Sequence, residues 1–452
     1  MSPMRLASVT TPLVGVVIAL AAAAPAHAQL GSYNPPPGPQ ATYAITHAHI
    51  FPVSGPEIPN GTVIISGGKI QAVGANVAVP NGAQVIDATG LSVYPGMMDA
   101  GSSIGLQEIP QGAASTVDIA ETGNFNPNAQ AYFGINPHSA HVGVARVVGI
   151  THVLSHPTGG VISGQAALIN LAGSTVPQMA VVPKAAMVIE LPRSGFGGGR
   201  RGGFAAFAGA QNQQDVDRTR RAQLDSLRTI LKDAAAYGDV IDAYAKDHTI
   251  PRPKQDVVLA SLVPAVRGQQ PVLFVADRAT DIREAVAFAE ENKLKPIILG
   301  GRDAWQVASY LKQHDVPVLL GSVMDLPSRE DDPYDVNYSA PAKLAAAGVR
   351  FAITSGDAGS EVRNLPYTAG MASAFGLSKD NALKSVTLWP AQILGVADKL
   401  GSLEPGKIAN VVVTTGDILE AKTDTKYLFI DGRPVPLDTK HSELYKQFKD
   451  RP

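Results

Sequence analysis

Two groups of histidines have residue types and spacings that could bind a metal ion. In the first group, His47 and His49 stand two positions apart, and such residues of a strand project from the same face. The run from Ala44 to Ile50 has the composition of a strand and lies early in the chain. We therefore interpret His47 and His49 as surface residues of a strand.

The second group comprises His138, His141, His152 and His156. Thr151 to Ser155 is predicted to be a strand, and residues four apart on a strand are separated by about 13 Å. His152 and His156 are then too far apart to share one ion. This spacing favours unrelated polar histidines, and a relocated metal site stays open as the alternative.

Short apolar runs and helix-like stretches alternate in the second half of the chain. The apolar runs are Val272 to Ala276, Pro296 to Leu299 and Val316 to Leu320, and the helix-like stretches between them are Asp281 to Asn292 and Ala304 to Gln313. Alternation at this spacing predicts βα units around a parallel sheet or barrel.

The two ends of the chain share a different texture. From Tyr43 to Ile86, short β-rich runs are separated by turn signals such as Gly67-Gly68, and Ala409 to Thr414 and Tyr427 to Ile430 repeat this pattern. These are hairpin signals. We predict one small β-domain assembled from both ends.

The first 28 residues have the features of a secretory signal peptide. Arg5 precedes an apolar run from Leu13 to Ala24, and Ala26-His27-Ala28 is a small-x-small cleavage site. The apolar run is shorter than the roughly 20 residues of a spanning helix, so we predict no stable membrane span. The mature chain is predicted to start at Gln29 and to be periplasmic or secreted.

Composition excludes several classes of protein and site. The chain has 452 residues, 45% of them hydrophobic, which is enough to fill the core of a folded protein. Lysine and arginine number 37 against 39 acidic residues, which indicates no nucleic-acid partner. Cysteine is absent, which excludes disulfides, thiolate metal sites and cysteine nucleophiles.

Segments near both ends of the central region carry a family resemblance. Residues 85–100, which read VIDATGLSVYPGMMDA, resemble the start of the barrel in the imidazolonepropionase-like, metal-dependent hydrolase branch of the amidohydrolase superfamily. Residues 363–367, 382–396 and 401–407 resemble the end of that barrel. The resemblance implies an α/β fold: a (β/α)8 TIM-like barrel with a small composite β-sandwich domain built from N- and C-terminal segments.

The pattern along the chain and the resemblance together predict the domain boundaries. The predicted segments are a signal peptide at 1–28, a proline-rich linker at 29–40, the first part of the β-domain at 41–95, an amidohydrolase-like barrel at 96–397, the second part of the β-domain at 398–440, and a C-terminal tail at 441–452.

The resemblance also implies a site, and this sequence departs from it. Typical members bind divalent metal such as zinc through two histidines on the first barrel strand, single histidines on the fifth and sixth, and an aspartate after the eighth. Here Gly101 and Ser103 take the first two positions, and Val275 and Gly300 take the next two. The metal-ligand histidines are therefore replaced. We predict no metal-binding residue, and the cofactor stays unknown.

Three residues are the candidates for the altered site. Asp357 takes the place of the family's aspartate and is predicted to be catalytic. Ser103, at the expected mouth of the site, and Asp277, after the fifth strand, are predicted to bind substrate. An oxygen-rich magnesium site at Asp277 and Asp357, and a serine nucleophile at Ser102 or Ser103, are weaker alternatives.

Two functions stay open at this point. The first is an exported hydrolase of non-peptide carbon–nitrogen bonds, as the resemblance implies, with a degenerate metal site. The second is a non-catalytic protein that binds a small molecule or acts as a partner subunit, either as a homo-oligomer or with a related subunit. A fold alone does not decide between them.

Overall fold

The computed structural model describes residues 34–109, 116–192 and 213–451. The predicted signal peptide, residues 1–28, lies outside the described residues. None of the helices in these ranges is both long and apolar enough to cross a membrane.

The described strands fall into two sheets. In chain order they are β1 (Tyr43–Ile50), β2 (Ile58–Ser66), β3 (Lys69–Gly74), β4 (Gln84–Asp87), β5 (Ser92–Pro95), β6 (Met97–Ser102), β7 (Ile150–Ser155), β8 (Ile162–Asn170), β9 (Ala180–Ile189), β10 (Val272–Ala276), β11 (Pro296–Gly300), β12 (Val318–Leu320), β13 (Phe351–Ile353), β14 (Val411–Thr414), β15 (Thr425–Ile430) and β16 (Arg433–Pro434).

The described helices occupy most of the connections between the barrel strands and also follow the last of these strands. They are α1 (Ala131–Gly134), α2 (Ala140–Val147), α3 (Val176–Met179), α4 (Gln213–Lys246), α5 (Val257–Val266), α6 (Ala279–Glu291), α7 (Ala308–Gln313), α8 (Val336–Ala346), α9 (Leu365–Ala374), α10 (Lys379–Ser385), α11 (Leu388–Ile393) and α12 (Lys440–Phe448), with 3-10 helices at Ala304–Val307 and Gly359–Asn364. Helix α12 falls largely in the segment predicted as a C-terminal tail.

The first sheet combines strands from both ends of the chain. Its order is β16-β15-β14-β5-β1-β2-β3, with β4 paired to β1. The predicted composite β-domain is thus confirmed. His47 and His49 lie on β1, where His47 contacts Asp87 at 3.2 Å and His49 contacts Glu57 at 3.0 Å. The surface-strand interpretation of these two histidines is confirmed.

The second sheet is the barrel predicted from the alternation of strands and helices. Its order runs β13-β12-β11-β10-β9-β8-β7-β6, and β13 lies beside β6. Strands β10 and β11 and helix α6 match the predicted elements closely. Numbered from β6, the strands β10, β11 and β13 are the fifth, sixth and eighth, as the resemblance implied.

One strand departs from a regular (β/α)8 arrangement. β8 pairs antiparallel with both β7 and β9, while the other neighbouring pairs of this sheet are parallel. The connection from β7 to β8 comprises only residues 156–161. A parallel crossover needs a dozen or more residues, so this short connection forces the chain to turn back.

Alternate residues of the barrel strands fill its interior. A buried apolar cluster contains Met98, Leu154, Leu168, Leu273 and Leu319, one from each of five strands. Side chains that alternate along a strand point to opposite faces, so their neighbours face the surrounding helices. The packed interior fixes the strand ends, which carry the candidate site.

Candidate functional site

A cavity of about 670 Å³ is lined by residues at the carboxyl ends of the barrel strands. His156 follows β7, Asp277 follows β10, Gly300 ends β11, Gly321 follows β12 and Thr354 follows β13, and all five line the cavity. Parallel barrel strands bring their carboxyl ends to one face, where the loops that follow them can surround a ligand.

Asp357 lies in the wall of this cavity. It follows the eighth strand and is half-buried. Its main-chain carbonyl accepts a hydrogen bond of 2.9 Å from the backbone N–H of Ser103, just beyond the first strand. This bond ties the two ends of the barrel sheet together and fixes the position of Asp357. Its catalytic role stays a prediction.

Asp277 lies in the same cavity wall as Asp357. Its Oδ1 atom is 2.6 Å from the point that a Cβ atom on Gly300 would occupy. The Asp277 carboxylate therefore takes the space that a side chain at position 300 would need. The structure brings Asp277 and Asp357, two of the predicted site residues, to one cavity.

Ser103 has a different environment. It is fully buried, and its Oγ atom accepts a hydrogen bond of 3.1 Å from the backbone N–H of Gly359. Ser103 is not among the described residues that line the cavity. Its contacts support the loop that carries Asp357, and its predicted role in substrate binding stays a prediction.

Position 101, where the resemblance implies a histidine, is closely surrounded. A Cβ atom on Gly101 would lie 2.9 Å from Cδ1 of Leu299 and 3.6 Å from Cγ2 of Thr354. Within the described ranges, no group of three or more histidine, aspartate or glutamate side chains is placed to hold a metal ion. The histidines 138, 141, 152 and 156 form no such group either.

His156 is a site residue that the sequence interpretation missed. It lines the cavity and is only 2% exposed. Its Nδ1 atom lies 3.3 Å from the carbonyl oxygen of Pro157, while its Nε2 atom is buried and has no partner among the described residues. Its position directly after the second barrel strand was the signal that could have identified it.

His152 belongs to the protein core instead. Its Nδ1 atom lies 2.9 Å from Oγ1 of Thr151, and burial lowers the pKa of its imidazole to about 3. Desolvation penalises the charged form of a buried histidine. His152 is therefore neutral at physiological pH.

A buried carboxyl group stands behind the cavity wall. Asp99 on β6 is fully buried, and it accepts a hydrogen bond from the hydroxyl of Ser355, which lines the cavity. The pKa of Asp99 is raised to about 7, mainly by burial and to a smaller extent by the nearby Asp357, while hydrogen bonds from Ser355 and Gly101 lower it. Asp99 can therefore change its protonation state near neutral pH.

The charged side chains that line the cavity in the described part of the chain are acidic, apart from Arg302. The Arg302 guanidinium pairs with Asp325 at a distance of 2.9 Å. The acidic lining residues are Glu190, Asp277, Asp325, Asp357 and Glu361.

Comparisons with known proteins agree with this architecture. The sequence profile of the amidohydrolase family matches residues 282–435, while a search of curated proteins finds no match. The structure is similar to that of an amidohydrolase from Thermotoga maritima MSB8, with 26% identity and a TM-score of 0.76 over 87% of this chain and 99% of that chain.

Two further structures share the fold at lower identity. Molinate hydrolase is 17% identical, with a TM-score of 0.54 over 89% of this chain and 95% of that chain. Phenylurea hydrolase B is 15% identical, with a TM-score of 0.53 over 88% of this chain and 97% of that chain. The profile match over residues 282–435 and the similarity to the Thermotoga maritima amidohydrolase show that the chain resembles the amidohydrolase family.

Proposed function

We propose that this chain is a hydrolase that cleaves a non-peptide carbon–nitrogen bond of a small molecule in the barrel-end cavity. The observation that carries the proposal is the cavity of about 670 Å³, with Asp277 and Asp357 in its wall. Small-molecule sites have volumes of roughly 300–1,000 Å³ and lie at this face of barrel enzymes. The hydrolytic activity named for the similar structures, molinate hydrolase and phenylurea hydrolase B, supports the reaction class.

We further propose that the site lacks the histidine-held metal centre of typical family members. Gly101, Ser103, Val275 and Gly300 stand at the four histidine positions. Leu299 crowds position 101, and the Asp277 carboxylate occupies the space beside Gly300. The residues present do not fit the family's metal, so no step of the proposed reaction uses it.

In the proposed reaction Asp357 acts as a general acid–base residue. Its carboxylate accepts a proton from a water molecule while the water oxygen bonds to the carbonyl carbon of the substrate. The carbon–nitrogen bond then breaks as the proton passes to the leaving nitrogen. The products are a carboxylic acid and an amine, and Asp357 returns to its starting state.

A non-catalytic binding or partner role is the second candidate. It is favoured by the crowding of position 101 and by exposed apolar side chains in the loop after β12. Leu326 and Tyr334 in that loop are 83% and 76% exposed. Such residues suit contact with another subunit.

The test uses the chain from Gln29, treated with chelator or loaded with zinc, manganese or magnesium. Substrates are N-acetylated amino-acid amides and cyclic imides, with the released amine or acid as readout, and dipeptides test whether peptide bonds are cleaved as well. We expect turnover that survives chelation and falls roughly 100-fold or more in Asp357→Asn. Asp239→Asn is the control, because the Asp239 side chain is 85% exposed on α4.

Each result of this test has a distinct meaning. Turnover that requires stoichiometric metal, measured by elemental analysis, contradicts the metal-free site. Binding of these compounds without turnover favours the second candidate.

We also propose that the protein is exported, on the basis of Arg5, the apolar run from Leu13 to Ala24 and the cleavage site at Ala28. Expression in a bacterium with two membranes tests this proposal. A periplasmic product whose N-terminal residue is Gln29 is expected, and a cytoplasmic product that retains Met1 contradicts it.

A further inference from the structure

Two acceptor groups in the cavity wall have no donor within the described protein. The Asp277 carboxylate is partly exposed and makes no side-chain hydrogen bond or ion pair with any described residue. The Nε2 atom of His156 is buried and likewise unpartnered in the described ranges. Buried polar groups in native proteins are nearly always hydrogen-bonded, so the buried Nε2 atom of His156 indicates a ligand that supplies a donor, and the partly exposed Asp277 carboxylate in the same wall can accept from such a ligand.

The geometry of His156 fixes which kind of group it needs. Its Nδ1 atom faces the Pro157 carbonyl oxygen at 3.3 Å, and a carbonyl oxygen can only accept. Nδ1 therefore carries the proton in the neutral ring, and Nε2 is left as an acceptor. A ligand N–H or O–H group satisfies it.

The surroundings of Asp277 strengthen its attraction for positive charge. Val275, Leu299 and Leu320 contribute apolar surface to the same cavity. A charge in a cleft with apolar walls acts through a lower effective dielectric constant than one in bulk water, so its field is focused. In the described part of the lining, the only cation is Arg302, and its guanidinium is paired with Asp325.

We infer that the cavity selects a small organic cation, bearing a protonated amine or a guanidinium group, which donates hydrogen bonds to Asp277 and to Nε2 of His156. An ammonium has three donors and a guanidinium has five, so either group has enough donors for both acceptors. The inference rests on the proposed function insofar as the barrel-end cavity is the substrate site. To the proposed function, the inference adds that the substrate carries a positive charge.

The test compares three probes with a common backbone: the α-carboxamides of Nα-acetyl-lysine, Nα-acetyl-norleucine and Nα-acetyl-glutamate. The side chain of the first is a cation, that of the second is neutral and that of the third is an anion. Binding is measured by isothermal titration calorimetry at low and high salt. We expect the lysine amide to bind about tenfold more tightly than the norleucine amide, with the glutamate amide weakest, and the difference to shrink at high salt.

Substitutions assign the selectivity to residues. Asp277→Asn keeps the shape of the side chain and removes its charge, so it should lower the affinity for the lysine amide about tenfold and leave the norleucine amide unchanged. His156→Phe should weaken the lysine amide, and His156→Gln, which retains an acceptor, should recover part of the loss. Asp239→Asn is the matched control on α4, and thermal unfolding shows whether each variant is folded.

The outcomes separate this inference from the hydrolase proposal. Equal affinities for the three amides, a preference for the glutamate amide, or no binding of the lysine amide overturns the inference. These comparisons use the unmodified chain and do not depend on any variant. Turnover of neutral amides without preference for the lysine amide keeps the hydrolase proposal alone, whereas charge-selective binding without turnover keeps the inference alone.

Discussion

The Oδ1 atom of Asp277 lies 2.6 Å from the point that a Cβ atom on Gly300 would occupy. Real Cβ atoms do not approach a neighbouring atom so closely, so the carboxylate holds its position because residue 300 is glycine. Gly300 also has a φ of 101°, which residues with a side chain rarely adopt. At the neighbouring ends of β10 and β11, the position of the Asp277 side chain thus depends on the absence of a side chain at Gly300.

Gly300→Ala should therefore destabilise the protein and displace Asp277. We expect a loss of about 3 kcal/mol, from backbone strain and from the steric clash, measured by chemical denaturation. Gly406→Ala is the control, since Gly406 has a φ of 92° and no atom near its missing Cβ. It should cost about 1 kcal/mol from strain alone. Equal losses in the two variants would falsify the claim that Asp277 fills this space.

Asp99→Asn should change how stability depends on pH. Burial raises the pKa of Asp99 to about 7, above its value in the unfolded chain, so the folded state binds the extra proton. The stability contributed by this group is present below about pH 4 and is lost as pH rises towards 7. The difference corresponds to roughly 4 kcal/mol.

The variant should therefore gain stability relative to the natural chain between pH 5 and pH 8, as measured by urea denaturation at each pH. An asparagine at this position can still accept from the backbone N–H groups of Gly101 and Ser355. Parallel pH profiles of the two proteins would show that Asp99 is ionised throughout this range.

His152→Phe should act in the opposite direction. Burial lowers the pKa of His152 to about 3, so the unfolded chain takes up a proton at a higher pH than the folded protein does. Stability from this group is present above about pH 6.5 and is lost as pH falls towards 3. The variant should lose less stability on acidification than the natural chain. His138→Phe, at an exposed histidine, should leave the profile unchanged.

The individual strands of the barrel could be predicted from the sequence, whereas the contacts between its first and last strands could not. The strand at Val272 to Ala276 is apolar and bounded by polar residues. A buried strand can be predicted from such a short apolar run alone. Asp277 and Asp357 could be placed in one site because both follow strands of the same sheet. Asp99 and Ser355 could not be paired, since only the approach of β13 to β6 brings them together.

The direction of β8 also escaped prediction. Ile162 to Asn170 is buried along its whole length, and a strand covered on both faces has no alternation from which to read its orientation. The direction of β8 could have been predicted from the connection at residues 156–161, because a connection this short cannot cross over to a parallel neighbour. His156, which lies in that connection, was overlooked as a site residue for the same reason.

Ser103→Ala distinguishes support of the site from contact with the ligand. The Oγ atom of Ser103 accepts the backbone N–H of buried Gly359 at 3.1 Å, and its removal leaves that N–H without an acceptor, at a cost of about 1–3 kcal/mol. The backbone bond from Ser103 to Asp357 does not depend on the side chain, so Asp357 should stay in place. We expect a lower midpoint of urea denaturation with nearly unchanged affinity for the lysine amide probe.

Ser360→Ala is the control, at an exposed residue of the 3-10 helix that begins at Gly359. It should change neither the denaturation midpoint nor the affinity. An affinity loss without a stability loss would instead place Ser103 in contact with the ligand, because a hydroxyl that only supports the loop cannot alter binding while leaving the fold unaffected.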